Sequence, residues 1–63
     1  MTAEEYAAAG IELTDTSATG LLTADAALDF IKAYTSLKFD ETDADSVTAL
    51  PAAAKLFVLN FVI

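Results

Sequence analysis

Leu50-Pro51-Ala52-Ala53-Ala54-Lys55-Leu56-Phe57-Val58-Leu59-Asn60-Phe61-Val62-Ile63 is the stretch on which the fold turns. Proline is favoured at the first helical position, where its missing N–H goes unused, and the three alanines behind it have the highest helix propensity. The reading is a helix over 51–63. Its rival is a strand over 57–63, since the aromatic and β-branched residues and the low charge also describe an aggregation-prone extended segment. As a helix the segment is apolar on nearly every side, interrupted only by Lys55 and Asn60, and such a helix is expected to be buried all round. It reaches residue 63 with no C-cap and no basic last turn, as a chain does when cut inside an element or covered by other subunits.

Working back toward the N-terminus, Leu22-Thr23-Ala24-Asp25 marks a helix start, with Thr23 as N-cap and an acid in the first turn facing the dipole. Ala24, Ala27, Leu28, Ile31, Tyr34 and Thr35 follow at three- and four-residue spacings, with Asp25, Asp29 and Lys32 opposite, giving an amphipathic helix over 24–36. Phe30 lies off that stripe, where it either widens the buried face or meets a partner. Thr2 and Glu5 have the T-x-x-E spacing of a capping box and begin a short helix over 3–9, with Gly10 at the left-handed residue that ends it. Two turns are not stable alone, so Tyr6 must dock, with Ile11 and Leu13 extending the contact. The hydroxyl-rich run from Thr14 to Gly20 reads as a loop. Leu37 and Phe39 alternate with Lys38 and Asp40, and Asp43-Ala44-Asp45-Ser46 can open another capped turn whose apolar side is Val47 and Leu50. The expected fold is all-α: one small domain over 1–63, a bundle of about three short helices with long loops, completed by neighbouring subunits or by a missing C-terminal part.

Composition narrows the function. The chain has 63 residues, 10 acids against 3 basic residues and a net charge of −7, with neither cysteine nor histidine. That excludes zinc fingers, thiol or histidine nucleophiles, haem attachment and iron–sulfur ligation. With no Arg, and with Lys32, Lys38 and Lys55 far apart, no sequence-specific nucleic-acid binding is expected. A 60-residue domain hides only ~60% of its unfolded surface and usually needs disulfides, a metal or oligomer contacts, of which only the last remains here. The apolar run of 50–63 is shorter than the ~20 residues of a membrane span, and a peripheral helix would want a basic face, so no membrane contact is expected. The N-terminus lacks the basic region of a secretory signal, and the expected compartment is the cytosol.

Candidate chemistry fails on spacing. Asp40, Glu41, Asp43 and Asp45 suggest a calcium loop, but an EF-hand begun at Asp40 or Asp43 lacks its sixth-position glycine and its twelfth-position Glu. The run reads as a solvated acidic loop that caps a turn. The pairs Asp25/Asp29 and Glu4/Glu5 sit on polar helix sides with no cleft to serve, and the serines and threonines lack an activating partner. No catalytic, cofactor-binding or metal-binding residues are expected.

The order of features resembles a known family. The helix ending Leu28-Asp29-Phe30-Ile31-Lys32-Ala33-Tyr34-Thr35, then Leu37-Lys38-Phe39-Asp40, an acidic spacer, and Leu50-Pro51-Ala52-Ala53-Ala54-Lys55-Leu56 opening an apolar helix is similar to the small head-tail connector (head-completion or adaptor) proteins of tailed bacteriophages. The resemblance covers about 22–63; Ala54 stands where the family commonly has Val, and family members are usually longer. It implies a structural virion protein of the neck, assembled in the host cytoplasm, whose copies form a ring between portal and tail-side proteins and line the DNA channel. In that arrangement Phe30, Tyr34, Leu56, Phe57, Leu59, Phe61 and Val62 make the contact between subunits, and Asp40, Glu41, Asp43 and Asp45 face the channel or a basic partner. The competing class is a small acidic regulator or inhibitor, a DNA mimic or antitoxin-like binder of a basic protein, which the charge fits equally well.

Overall fold

Thr2 and Glu5 form the capping box that their spacing predicts: the Thr2 hydroxyl accepts from Glu5 N–H and the Glu5 carboxylate from Thr2 N–H. They open α1 (Ala3–Ala8), which Ala9 caps and Gly10 ends at φ +85°, a left-handed conformation open to glycine. The computed structural model describes residues 1–62, and Ile63, the last residue of the expected final helix, lies outside them. Three more helices follow, α2 (Ala18–Tyr34), α3 (Ala44–Thr48) and α4 (Ala52–Phe61), and the described residues contain no strand. The all-α expectation holds, with four helices in place of about three.

The largest departure is the start of α2. The helix begins six residues before the expected Ala24, so the loop expected over 14–20 closes at Ser17. Ser17 is the N-cap, its hydroxyl accepting from Gly20 N–H, and Asp15 holds Ser17 in turn by accepting its N–H at 2.9 Å. Thr23, the expected cap, sits inside the helix and donates its hydroxyl to the Thr19 carbonyl at 2.9 Å. Gly20 is buried because the loop crosses directly over it: a Cβ there would lie 2.2 Å from the Asp15 carbonyl oxygen. The other end comes at Tyr34, two residues earlier than expected, with Thr35 as C-cap.

The turn from Asp43 is a helix of its own, capped by Asp43 Oδ1 on Asp45 N–H, and it buries Val47. Pro51 stands one position outside α4, as its N-cap. Helix, not strand, is the state of 52–61.

Helices α2 and α4 run antiparallel. Ile31 and Thr35 near the end of α2 share a groove with Pro51 and Ala54 at the start of α4, whereas Thr19, Gly20 and Thr23 line another with Phe61 and Val62. Helix α1 packs on α3, and Tyr6 crosses to α2, where its hydroxyl donates to Asp25. The core joins all four helices: Tyr6, Ile11, Leu28, Val47 and Val58 are its largest fully buried side chains. It closes within one chain. The radius of gyration of 10.1 Å compares with ~10.6 Å for a compact chain of this length, and the surface of 3851 Å² with ~3,900 Å² for a monomer of this mass.

Candidate protein-interaction site

At 100° per residue, α2 separates its side chains into three strips. Ala24, Ala27, Leu28 and Ile31 face the core, Asp25, Asp29 and Lys32 lie on one flank, and Thr23, Ala26, Phe30, Ala33 and Tyr34 lie on the other, with Leu22 at its edge. On α4, Ala54 and Val58 face inward, while Ala53, Leu56, Phe57, Asn60 and Phe61 turn from the α2 side toward solvent. Because the two helices are antiparallel neighbours, these outer strips join into one face, and neither contributes a charged residue to it.

Four aromatic rings run across this face. Tyr34 and Phe30 stand one turn apart on α2 with centroids 4.4 Å apart, Phe30 stacks on Phe57 of α4 at 5.6 Å, and Phe57 continues to Phe61 at 5.5 Å. Such separations are those of attractive aromatic pairs, worth ~0.5–1.5 kcal/mol each beyond the area they cover. Half of the ladder remains in water. Tyr34 is 75% exposed, Phe30 47% and Phe61 44%, with Leu22 at 70% and Leu56 at 56% beside them. Beneath the Phe30–Phe57 pair lies a groove of about 290 Å³ lined almost entirely by apolar atoms, from Ile31, Leu37, Pro51 and Ala54 among others.

The structure thus brings most of the expected contact residues together, with two corrections. Tyr34 and Thr35, also placed in the core stripe, are exposed, because they stand at the last residue and the C-cap of α2, past the buried strip of Ala24, Ala27, Leu28 and Ile31. Val62 is buried at 6% exposure within the chain's own core, and Leu59 is half-buried against it, so neither belongs to the outer ladder. Nor is α4 buried all round, since the other helices are too few to cover its outer side.

The four loop acids do not act as one unit. Asp40 Oδ1 accepts from the Thr42 amide and hydroxyl at 2.9 and 2.6 Å, bonds that hold its carboxyl below the usual range. Asp43 caps α3 and Asp45 points to solvent from its first turn. Glu41 alone turns inward, to Lys32 at 3.9 Å and to Asp29. The neighbouring Asp29 carboxyl, with which a proton can be shared, then burial, raise its pKa against the opposing effect of Lys32, and its Oε2 is buried without a hydrogen-bond partner. Asp25 completes this acidic flank, where it accepts the Met1 α-ammonium at 3.0 Å, as well as the Tyr6 hydroxyl, around a cavity of about 150 Å³. Burial and Asp25 together push the Tyr6 phenol well above its ordinary range. Sequence reasoning treated Asp25 and Asp29 as solvated because their partners, Met1, Tyr6 and Glu41, are distant in the chain and no local spacing announces them.

Among the described residues no group of three or more His, Cys, Asp or Glu is arranged to hold a metal ion, and no helix is long and apolar enough to cross a membrane. Compared with known protein families, curated proteins and solved structures, the chain matches none of them.

Proposed function

We propose that the chain is a non-catalytic structural subunit that works by protein–protein contact through the aromatic face of α2 and α4, and that the assembly it serves is the one its sequence resembles, the ring between portal and tail in a tailed bacteriophage. The carrying observation is the ladder Tyr34–Phe30–Phe57–Phe61, an uncharged apolar face left in water by a chain that has already closed its own core. Exposed patches at the top of the ~300–600 Å² range mark interaction sites more often than accidents. In this reading neighbouring copies and the portal- and tail-side proteins cover the ladder. Asp40, Asp43 and Asp45, which the fold leaves in solvent, face the channel or a basic partner. An acidic channel wall repels DNA and lets it slide.

The test is composition. Particles purified on a density gradient and analysed by mass spectrometry are expected to contain this chain at stoichiometric levels. Its absence from particles, with abundance in the soluble fraction, refutes the reading and turns it to a small acidic regulator, whose contact would be the Asp25, Asp29 and Glu41 flank.

A further inference from the structure

The distribution of charge says what covers the aromatic face before assembly. The molecule carries a net charge of −7, yet the outer strips of α2 and α4 hold none of its charged residues. A basic partner would be drawn to the flank of Asp25, Asp29 and Glu41 and would gain nothing electrostatic at the ladder. For a second copy the preference reverses, because the uncharged face is where two acidic molecules approach with the least repulsion.

Area points the same way. Taking ~200 Å² for each large side chain, the exposed parts of Leu22, Phe30, Tyr34, Leu56 and Phe61 come to roughly 500–600 Å² per copy. Two such faces, fully covered, bury ~1,000–1,200 Å², at or just under the lower bound of specific interfaces, ~1,200–2,000 Å² in total, which is the size of a weak contact. The shape is also self-complementary: the face holds both a groove, of about 290 Å³, and a projecting ring, Tyr34, so one copy can fill the other across a two-fold axis.

We infer that, outside any larger assembly, the chain pairs with a second copy of itself, α2 and α4 of one packing two-fold against α2 and α4 of the other through the Tyr34–Phe30–Phe57–Phe61 ladder. The inference rests on the interaction face proposed above and names its occupant. The contact is a small four-helix layer with the acidic flanks outermost. It is weak and tightens with salt, because screening removes the repulsion between the copies while the contact itself carries no charge to screen.

Sedimentation velocity between ~10 and ~500 μM, a range that spans micromolar to sub-millimolar dissociation, reads this directly. The weight-average mass is expected to rise from 6.6 kDa toward twice that value and no further, and several-fold more dimer is expected at ~0.5 M than at ~0.05 M salt. Tyr34→Glu and Leu56→Glu, at exposed positions whose change leaves the helical circular dichroism intact, are each expected to hold the chain monomeric. Nuclear Overhauser contacts between labelled and unlabelled copies should connect the rings of Phe30, Tyr34 and Phe57. A monomer at ~500 μM in high salt, variants that associate like the parent, or growth beyond the dimer would each overturn the pairing. The particle measurement is independent of these outcomes: a monomer found in particles sinks the pairing and keeps the structural role, while a dimer missing from them does the reverse.

Discussion

Replacing Gly20 with alanine sets two effects of known sign against each other. Gly20 lies in the first turn of α2 with a negative φ, so on propensity alone alanine should stabilise the helix by ~1 kcal/mol. The structure reverses that sign. A Cβ at this position would sit 2.2 Å from the Asp15 carbonyl oxygen and 2.8 Å from its carbonyl carbon, and both are backbone atoms that no rotamer change can move aside. The loop from Thr14 to Ser17 must lift, which loosens the Asp15 bond to Ser17 N–H and the Ser17 cap on Gly20 N–H. Overpacking of this kind costs ~1–3 kcal/mol and loss of a cap a further ~1, so the net loss after the propensity gain is ~1–3 kcal/mol. A chain of this length has roughly 3–9 kcal/mol to lose. With a urea slope near ~1 kcal/mol/M, the unfolding midpoint should fall by ~1–3 M. Urea titration followed by circular dichroism measures it, and amide exchange at 18–21 should accelerate more than at 27–31. An unchanged or raised midpoint would refute the crossing of the loop over Gly20 and return the start of α2 to Thr23.

Tyr6→Phe keeps the buried ring and removes the hydroxyl that joins α1 to Asp25. Because Asp25 is 43% exposed and keeps the Met1 ammonium, the loss should be ~1 kcal/mol, below the ~1.5–3 of a fully buried charged hydrogen bond; a urea midpoint equal to the parent's would show that the bond contributes nothing. The carboxylates predict a stability maximum in mild acid. Glu41 binds its proton more tightly in the folded state, so its contribution is complete below its usual 4.5 and is lost as pH rises through the raised folded value. Glu5, Asp15 and Asp40 are shifted down by their hydrogen bonds, so their contributions are present above the usual 4.5, 3.8 and 3.8 and are lost as pH falls through the lowered values. Thermal unfolding from pH 3 to 8 should therefore peak near ~4–5, and Glu41→Gln should flatten the decline on the alkaline side. A decline of the same slope in that variant would mean that general repulsion, not the Asp29–Glu41 contact, governs it.

What local chemistry dictates, the sequence displays. The capping box at Thr2 and Glu5, the left-handed Gly10 and the Asp43 cap each involve residues within a few positions of one another, and all three are where their spacing puts them, while the start at Pro51 is off by the one position that makes the proline an N-cap. Ser17 and Thr23 show how such rules run out. Both offer a hydroxyl followed three residues later by a free amide, and the choice between them is made by Asp15 folding back over Gly20, a contact no periodicity encodes. The acidic flank is illegible for the same reason, since Asp25 meets Met1 24 residues away and Tyr6 19 residues away.

The candidate face was half legible, and the missing half is instructive. An all-round apolar α4 implies burial only if enough protein exists to surround it, and a 63-residue chain with one buried strip per helix does not supply that. Phe30 stood off the core stripe for a reason that appears only when α4 lies alongside: its ring completes a ladder with Phe57, 27 positions later. Once capping and core packing have claimed their residues, the large apolar side chains left most exposed are Leu22, Phe30, Tyr34, Leu56 and Phe61, and apart from the ring pairs that Phe30, Tyr34 and Phe61 make within the ladder the core makes no use of their size. Alanine or glutamate at Leu56 or Tyr34 would serve the monomer equally well and would dissolve better. Five such residues on two adjoining helix strips, with no charge among them, are the part of the described surface that the packing of α2 on α4 leaves open to a further contact.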